Sequence, residues 1–183
     1  MRDRAEMGFG MVEAVMVCMV GAILMGVALP IMTGALRRTD ADGAAELIAQ
    51  ELAYARGLAV GSRDDVTVQL DPVQSTVIVA PASGSARGPF ALRPGMRLLS
   101  TAPVPDTPDA LGGTVLGTGA LTQITFRQNG AAVFDPALNN LASGTFFLEN
   151  ANADPATRRA VTVMGGTGRV HVWRYDPAVG AWK

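Results

Sequence analysis

The chain has 183 residues, 15 basic and 16 acidic side chains, one cysteine and a formal net charge of −1. A lone cysteine excludes an intrachain disulfide framework and a thiolate zinc site, and the near-zero charge excludes nucleic-acid binding by bulk basicity while permitting a local basic patch. With 49% hydrophobic residues the chain is too apolar to be disordered, yet a mean hydropathy of +0.25 beside only 17% charged residues is high for a soluble domain.

The excess hydrophobicity has one location. From Ala14 to Leu36 there are 23 consecutive residues without a charge, more than the roughly 20 that a helix needs to cross a bilayer. The 147 residues that follow carry 26 of the 31 charges, an ordinary density for a globular domain. A cleaved secretory signal would need an apolar region of only about 7–15 residues followed by a small-residue cleavage site. The run here is longer and ends on Gly34-Ala35, so a plain signal anchor is the stronger of the two ordinary readings. Flanking charges leave the orientation open, because Arg2 and Arg4 precede the run and Arg37 and Arg38 follow it. Cys18 lies inside the run and reads as a small hydrophobe facing lipid or another helix.

Glu13 interrupts the start of this segment, and an acid in such a place is costly unless it finds a partner or stays at the interface. The sequence around it reads Gly8-Phe9-Gly10-Met11-Val12-Glu13, then an apolar helix, then Pro30. This resembles the processing signal of type IV pilins and type II secretion pseudopilins: a short leader ending in Gly, a Phe that becomes the new N-terminus, a Glu at the fifth mature position and a Pro at the twenty-second. The leader departs from the pattern in being formally neutral and in placing Met7 before Gly8. The resemblance implies that prepilin peptidase cuts after Gly8, that Phe9 is N-methylated, and that Glu13 pairs with a positively charged N-terminus in a growing filament. It also implies a single-pass protein of the bacterial inner membrane, N-terminus cytoplasmic and C-terminal domain periplasmic, whose partners are other pilins or pseudopilins met through the N-terminal helix.

Helical periodicity continues beyond the apolar run. Ala41, Ala45, Ile48, Leu52, Ala55 and Ala59 form a narrow apolar stripe, with Glu46, Gln50, Glu51 and Arg56 on the remaining surface. The spacing predicts one helix from Phe9 to Val60, about 78 Å long at 1.5 Å per residue, bent at Pro30 and ended by Gly61. After Gly61 the period becomes two. It predicts strands over Val66–Asp71, Thr76–Ala80, Met96–Ser100, Leu121–Arg127, Ala131–Phe134, Thr145–Glu149, Ala160–Met164 and Arg169–Tyr175, with a hairpin at Gln128-Asn129-Gly130. Pro81–Pro94 and Thr101–Ala120 read as long surface loops. The expected fold is α+β and pilin-like: a long N-terminal helix, membrane-spanning in its first half, packed on an antiparallel β-domain. The expected divisions are a leader at 1–8, a transmembrane or filament-core helix at 9–36, its amphipathic continuation at 37–60 and a β-domain at 61–183. The run Glu51 to Val60 feeding the strand Val66-Thr67-Val68, with Ile124-Thr125-Phe126, Arg158-Arg159 and Gly168-Arg169-Val170 later, resembles the GspH/FimT branch of minor pseudopilins.

Catalysis finds no support. His171, the single histidine, alternates with Val170 and Val172 in a strand, and the glycine-rich segments at 113–119 and 165–168 lack the lysine and the strand-to-helix context of a phosphate loop. No catalytic residue, metal site or cofactor is expected. One basic patch stands out: residues 155–183 carry Arg158, Arg159, Arg169, Arg174 and Lys183 against Asp176, a local net of +4. Arginines beside His171 and Trp173 suit backbone contacts and base stacking on DNA. In FimT-type minor pilins the matching region carries a Gly-Arg-x-Arg element linked to DNA capture; here Gly168-Arg169-Val170-His171 has a histidine in place of the second arginine. A solvated strand face is the plainer reading of the same residues. Two functions follow: a minor pseudopilin, a structural subunit of a type II secretion pseudopilus or type IV pilus near its tip; or a pilus-tip receptor that takes up DNA.

Overall fold

A computed structural model describes residues 10–103, 105–117, 122–135, 137 and 139–183. The expected leader, Gly8 and Phe9 lie outside the described residues. Helix α1 spans Met11–Ser62 and continues through Pro30. Internal contacts divide the chain at the Leu36/Arg37 boundary into two units.

In the first unit the apolar side chains find no cover: Met11 is 86% exposed, and Ile23, Met25 and Ile31 are each close to 70%. An 18-residue window here reaches a mean hydropathy of 2.5 with none of it buried, so this helix is long and apolar enough to cross a bilayer.

The second unit begins with the amphipathic half of α1. Its stripe of Ala41, Ala45, Ile48, Leu52, Ala55 and Ala59 is fully buried, and Ala44 joins it. The small side chains let the strands approach the helix closely. Gly61 does not end α1. The helix runs on to Ser62, whose hydroxyl donates to Leu58 O at 2.7 Å, and Arg63 terminates it with a φ of 56°. Glu51, assigned to the surface by periodicity, is instead buried, with Arg87 at 3.6 Å. That guanidinium also lies 4.4 Å from the Tyr54 ring centroid and 5.1 Å from that of Phe90, so a segment from elsewhere in the chain roofs the helix at this point.

Ten strands follow among the described residues: β1 (Val66–Asp71), β2 (Thr76–Pro81), β3 (Arg87–Ala91), β4 (Met96–Leu98), β5 (Gln123–Phe126), β6 (Ala132–Val133), β7 (Gly144–Asn150), β8 (Arg159–Met164), β9 (Arg169–Asp176) and β10 (Ala181–Trp182). They form two sheets with orders β3-β2-β1-β5-β6 and β10-β9-β8-β7-β4, antiparallel at every strand pair. One long apolar helix followed by antiparallel sheets is the pilin-like α+β class that the sequence suggests. Expected strands β4, β5 and β6 are shorter than the alternation implied, and Leu121 lies outside the described residues. Two strands were not foreseen. β3 falls within the expected loop 81–94, a segment rich in proline, glycine and serine; proline is tolerated here on the sheet edge, where its missing N–H costs no ladder bond. β10 is only two residues long.

Alternation along β7 sorts its two central rings onto opposite faces of the second sheet. Phe146 and Leu148 enter the main core with the α1 stripe, Val68, Ile124 and Val161, while Phe147 joins Ala160 and Trp182 in a smaller cluster on the other face. The Asn129-Gly130 turn closes the β5–β6 hairpin, with Gly130 N donating to Arg127 O at 2.8 Å and Gly130 at a φ of 82°. The β8–β9 turn presses against it. At Gly168, with a φ of 61°, an added Cβ would overlap Gly130 O and reach Arg56 Cδ at 3.0 Å. Gly168→Ala is therefore expected to destabilise this unit by about 2–3 kcal/mol, read as a lowered denaturant midpoint, since both the left-handed backbone and the overlap oppose a side chain.

Candidate functional site

Glu13 lies in the first turn of α1, exposed among exposed apolar neighbours, and its backbone N–H donates to Gly10 O at 3.0 Å. Apolar residues surround the carboxylate on both sides along the helix, so any partner must come from outside the described residues. Pro30 has no N–H to return to the preceding turn. Thr33 Oγ1 donates to Pro30 O at 3.0 Å, a local contact on the same stretch.

The C-terminal basic residues do not form one patch. Neighbouring residues in a strand point to opposite faces, so Arg158 and Arg159 part company, as do Arg174 and Trp173. Arg159, at the start of β8, is only 3% exposed and turns towards α1. Its Nε donates to Asp42 Oδ1 at 2.6 Å, its Nη1 to the carbonyls of Ala156 at 3.1 Å and Arg158 at 2.7 Å, and its Nη2 to Arg38 O at 3.4 Å. Arg174 is its cross-strand partner and reaches the same Asp42 oxygen at 3.0 Å. Two like charges set opposite one another would repel. One helix carboxylate placed between them reverses the sign of the interaction and ties α1 to both strands.

Arg158 takes the other face. Its Nε donates to Glu149 Oε1 at 2.7 Å, Arg97 approaches the second oxygen at 3.5 Å, and Glu149 itself is 4% exposed. This fully desolvated acid needs both cations. Lys183 pairs with Asp176.

Arg169, His171 and Trp173 remain together on the outer face of β9. The imidazole and indole centroids are 4.2 Å apart with the rings inclined at 30°. Arg169 is exposed and has no carboxylate partner among the described residues. These side chains line a cavity of about 200 Å³ that also contains Asp109. Trp173 Nε1 donates to Thr162 Oγ1 at 3.2 Å, and that hydroxyl donates to Asp109 Oδ2 at 2.6 Å. Partial burial pushes the Asp109 carboxyl up, but hydrogen bonds led by Thr162 outweigh it and leave the group below its ordinary value. A depressed acid contributes stability that is complete above its unfolded pKa and is lost as pH falls through the folded one. Stability measured by denaturant titration is thus expected to drop below about pH 4, and Asp109→Asn to remove that part of the slope.

Periodicity alone could have separated Arg158 from Arg159. It could not have found Asp42, Glu149 or Asp109, which come from distant segments and carry no local motif.

Residues 44–167, more than half of the chain, match the model of the family described as Type II transport protein GspH. The chain belongs to the GspH family. The matched range runs from the second half of α1 to the β8–β9 turn, so it includes Arg158 and Arg159 and excludes Glu13 and β9. Among solved structures, this GspH-family chain is similar to the type IV minor pilin FimU of Pseudomonas aeruginosa, with 20% identity over 78% of this chain and 92% of that chain and a TM-score of 0.49. It is also similar to the minor pseudopilin EpsH from the Type 2 Secretion System of Vibrio cholerae, with 14% identity over 74% of this chain and 97% of that chain and a TM-score of 0.47. No curated protein sequence matches it significantly. The assignment therefore rests on the family model.

Proposed function

We propose that this protein is a minor pseudopilin: a structural subunit held in the bacterial inner membrane and inserted, near the tip, into a type II secretion pseudopilus or a type IV pilus. It has no chemistry of its own. The observation that carries the reading is the helix from Met11 to Leu36, whose apolar side chains are uncovered and which bears a single carboxylate, Glu13, in its first turn. Such a surface costs free energy in water and has two chemical homes, a bilayer and a bundle of like helices. Moving from the first to the second is what filament assembly requires.

In this scheme prepilin peptidase cleaves after Gly8 on the cytoplasmic side, the amine of Phe9 is methylated, and Glu13 accepts a charged N-terminus in the filament. Pro30 lets the helix bend while it packs. Mass spectrometry of the protein recovered from membranes is expected to show a mature N-terminus at methylated Phe9. An N-terminus at Met1, or one following Ala35, would count against the assignment.

The reading as a DNA receptor draws on less charge than the sequence promises. Arg158, Arg159 and Arg174 are committed to Glu149 and Asp42, and Arg169 faces a cavity that holds Asp109. Affinity for DNA grows with the phosphates neutralised, and three guanidinium groups that share two carboxylates within the protein have less charge to exchange than their number suggests. Arg169 with the His171–Trp173 stack is what remains for that role.

A further inference from the structure

The segment joining the two units carries a second feature that assembly does not use. The uncharged run Ala14–Leu36 covers about 34 Å of helix at 1.5 Å per residue, matching the roughly 30 Å of a hydrocarbon core. Arg37 and Arg38 are the first charges after it, so a chain anchored through this run presents them at the headgroup level. In the second unit Arg38 lines a cavity of about 650 Å³ together with Asp42, Arg159, Arg174, Asp176 and Lys183. Four cations thus stand against two side-chain carboxylates. Asp42 is shared by Arg159 and Arg174, Asp176 engages Lys183, and Arg38 has no carboxylate partner among the described residues.

The cavity has a buried wall and an exposed rim. Arg159 is buried and fixed by four hydrogen bonds, which holds Asp42 and hence Arg174 in place. Arg38 and Lys183 are exposed and long; Lys183 spends one of its three ammonium donors on Asp176 and keeps two. A phosphodiester brings one negative charge and several acceptor oxygens, which suits unspent guanidinium and ammonium donors. Basic side chains just outside a span are attracted to anionic lipid in the same way.

We propose that this cavity receives the phosphate of an anionic phospholipid headgroup while the subunit is stored in the membrane, with Arg38 and Lys183 as its principal donors. The proposal rests on the membrane-held state described above. Release of the lipid would accompany transfer of the helix into a filament.

The test uses the full chain purified in a neutral detergent and native mass spectrometry with dioctanoyl phosphatidylglycerol, dioctanoyl phosphatidylcholine and inorganic phosphate as probes. The wild type is expected to retain one phosphatidylglycerol at concentrations where phosphatidylcholine is lost. Arg38→Gln with Lys183→Gln is expected to weaken that retention about tenfold or more, whereas Arg38→Lys with Lys183→Arg keeps it. Equal retention of the two lipids, or equal retention by the wild type and the glutamine variant, would overturn the proposal. Displacement of the lipid by an equal concentration of inorganic phosphate would assign the cavity to free phosphate and would also overturn it. Carbonate washing of membranes separates the two levels: wild-type protein released by the wash removes the membrane-held state and this proposal together. Protein that resists the wash but shows no lipid preference removes this proposal alone.

Discussion

Glu13→Ala is expected to leave the protein fully membrane-inserted and to reduce its incorporation into filaments by two orders of magnitude or more. Insertion should not suffer, because a carboxylate within an apolar helix opposes partition into lipid by about 2.5–3.5 kcal/mol near the centre and less towards the end. Alanine removes that cost. Assembly is different. In a bundle of helices the carboxylate is expected to face a neighbouring amine in a medium of low dielectric, and deleting one member of such a pair costs about 3–5 kcal/mol because the other charge is stranded. Glu13 is exposed on α1 with no cationic side chain on the apolar stretch that surrounds it, so the described part of that helix offers no substitute partner. Fractionation of membranes would follow insertion, and cross-linking of sheared filaments would follow incorporation. Incorporation at the wild-type level would sink the charge-pairing mechanism while leaving the family assignment intact. Glu13→Gln is expected to fall between the two, since it keeps an acceptor and loses the charge.

Arg159→Ala is expected to be the most destabilising arginine substitution in the C-terminal half, at about 3–5 kcal/mol, whereas Arg169→Ala should stay within about 0.5 kcal/mol. The two differ in burial and partners. Arg159 is 3% exposed and bridges Asp42 to the carbonyls of Arg38, Ala156 and Arg158. Its removal opens a cavity between α1 and β8 and leaves polar atoms unpaired in it. Asp42 would retain Arg174, which moderates the loss. Thermal unfolding in detergent is expected to show a melting temperature lower by on the order of 10 °C for Arg159→Ala, against a shift near zero for Arg169→Ala. Equal shifts for the two variants would show that the clamp contributes nothing to holding the helix on the sheet.

Much of the architecture is legible in the chain because it is written in periods. The α1 stripe is buried at each of the six positions that the spacing picked out, and the strands β1, β2, β7, β8 and β9 fall where alternation placed them. Period two and period three to four each follow from the geometry of one element and need no partner to be recognised. The failures lie where a partner decides. Glu51 looks solvated on a helical wheel and is buried because Arg87 covers it. β3 looks like a loop because its segment is rich in proline, glycine and serine, yet the free edge of β2 accepts it.

The sequence by itself determined the uncharged span, the position of Glu13 within it, the change from helical to strand periodicity after Gly61, and the sum of charges in the last 29 residues. Only the tertiary structure decided what those charges do. Arg159 and Asp42 are separated by 117 positions and meet at 2.6 Å, so the apparent basic patch is largely an internal clamp, and of its cations Arg169 is the one without a carboxylate partner among the described residues. The reason is physical: periodicity is a property of one segment, whereas the free energy of a charge is set by whatever the rest of the chain brings within a few ångströms of it.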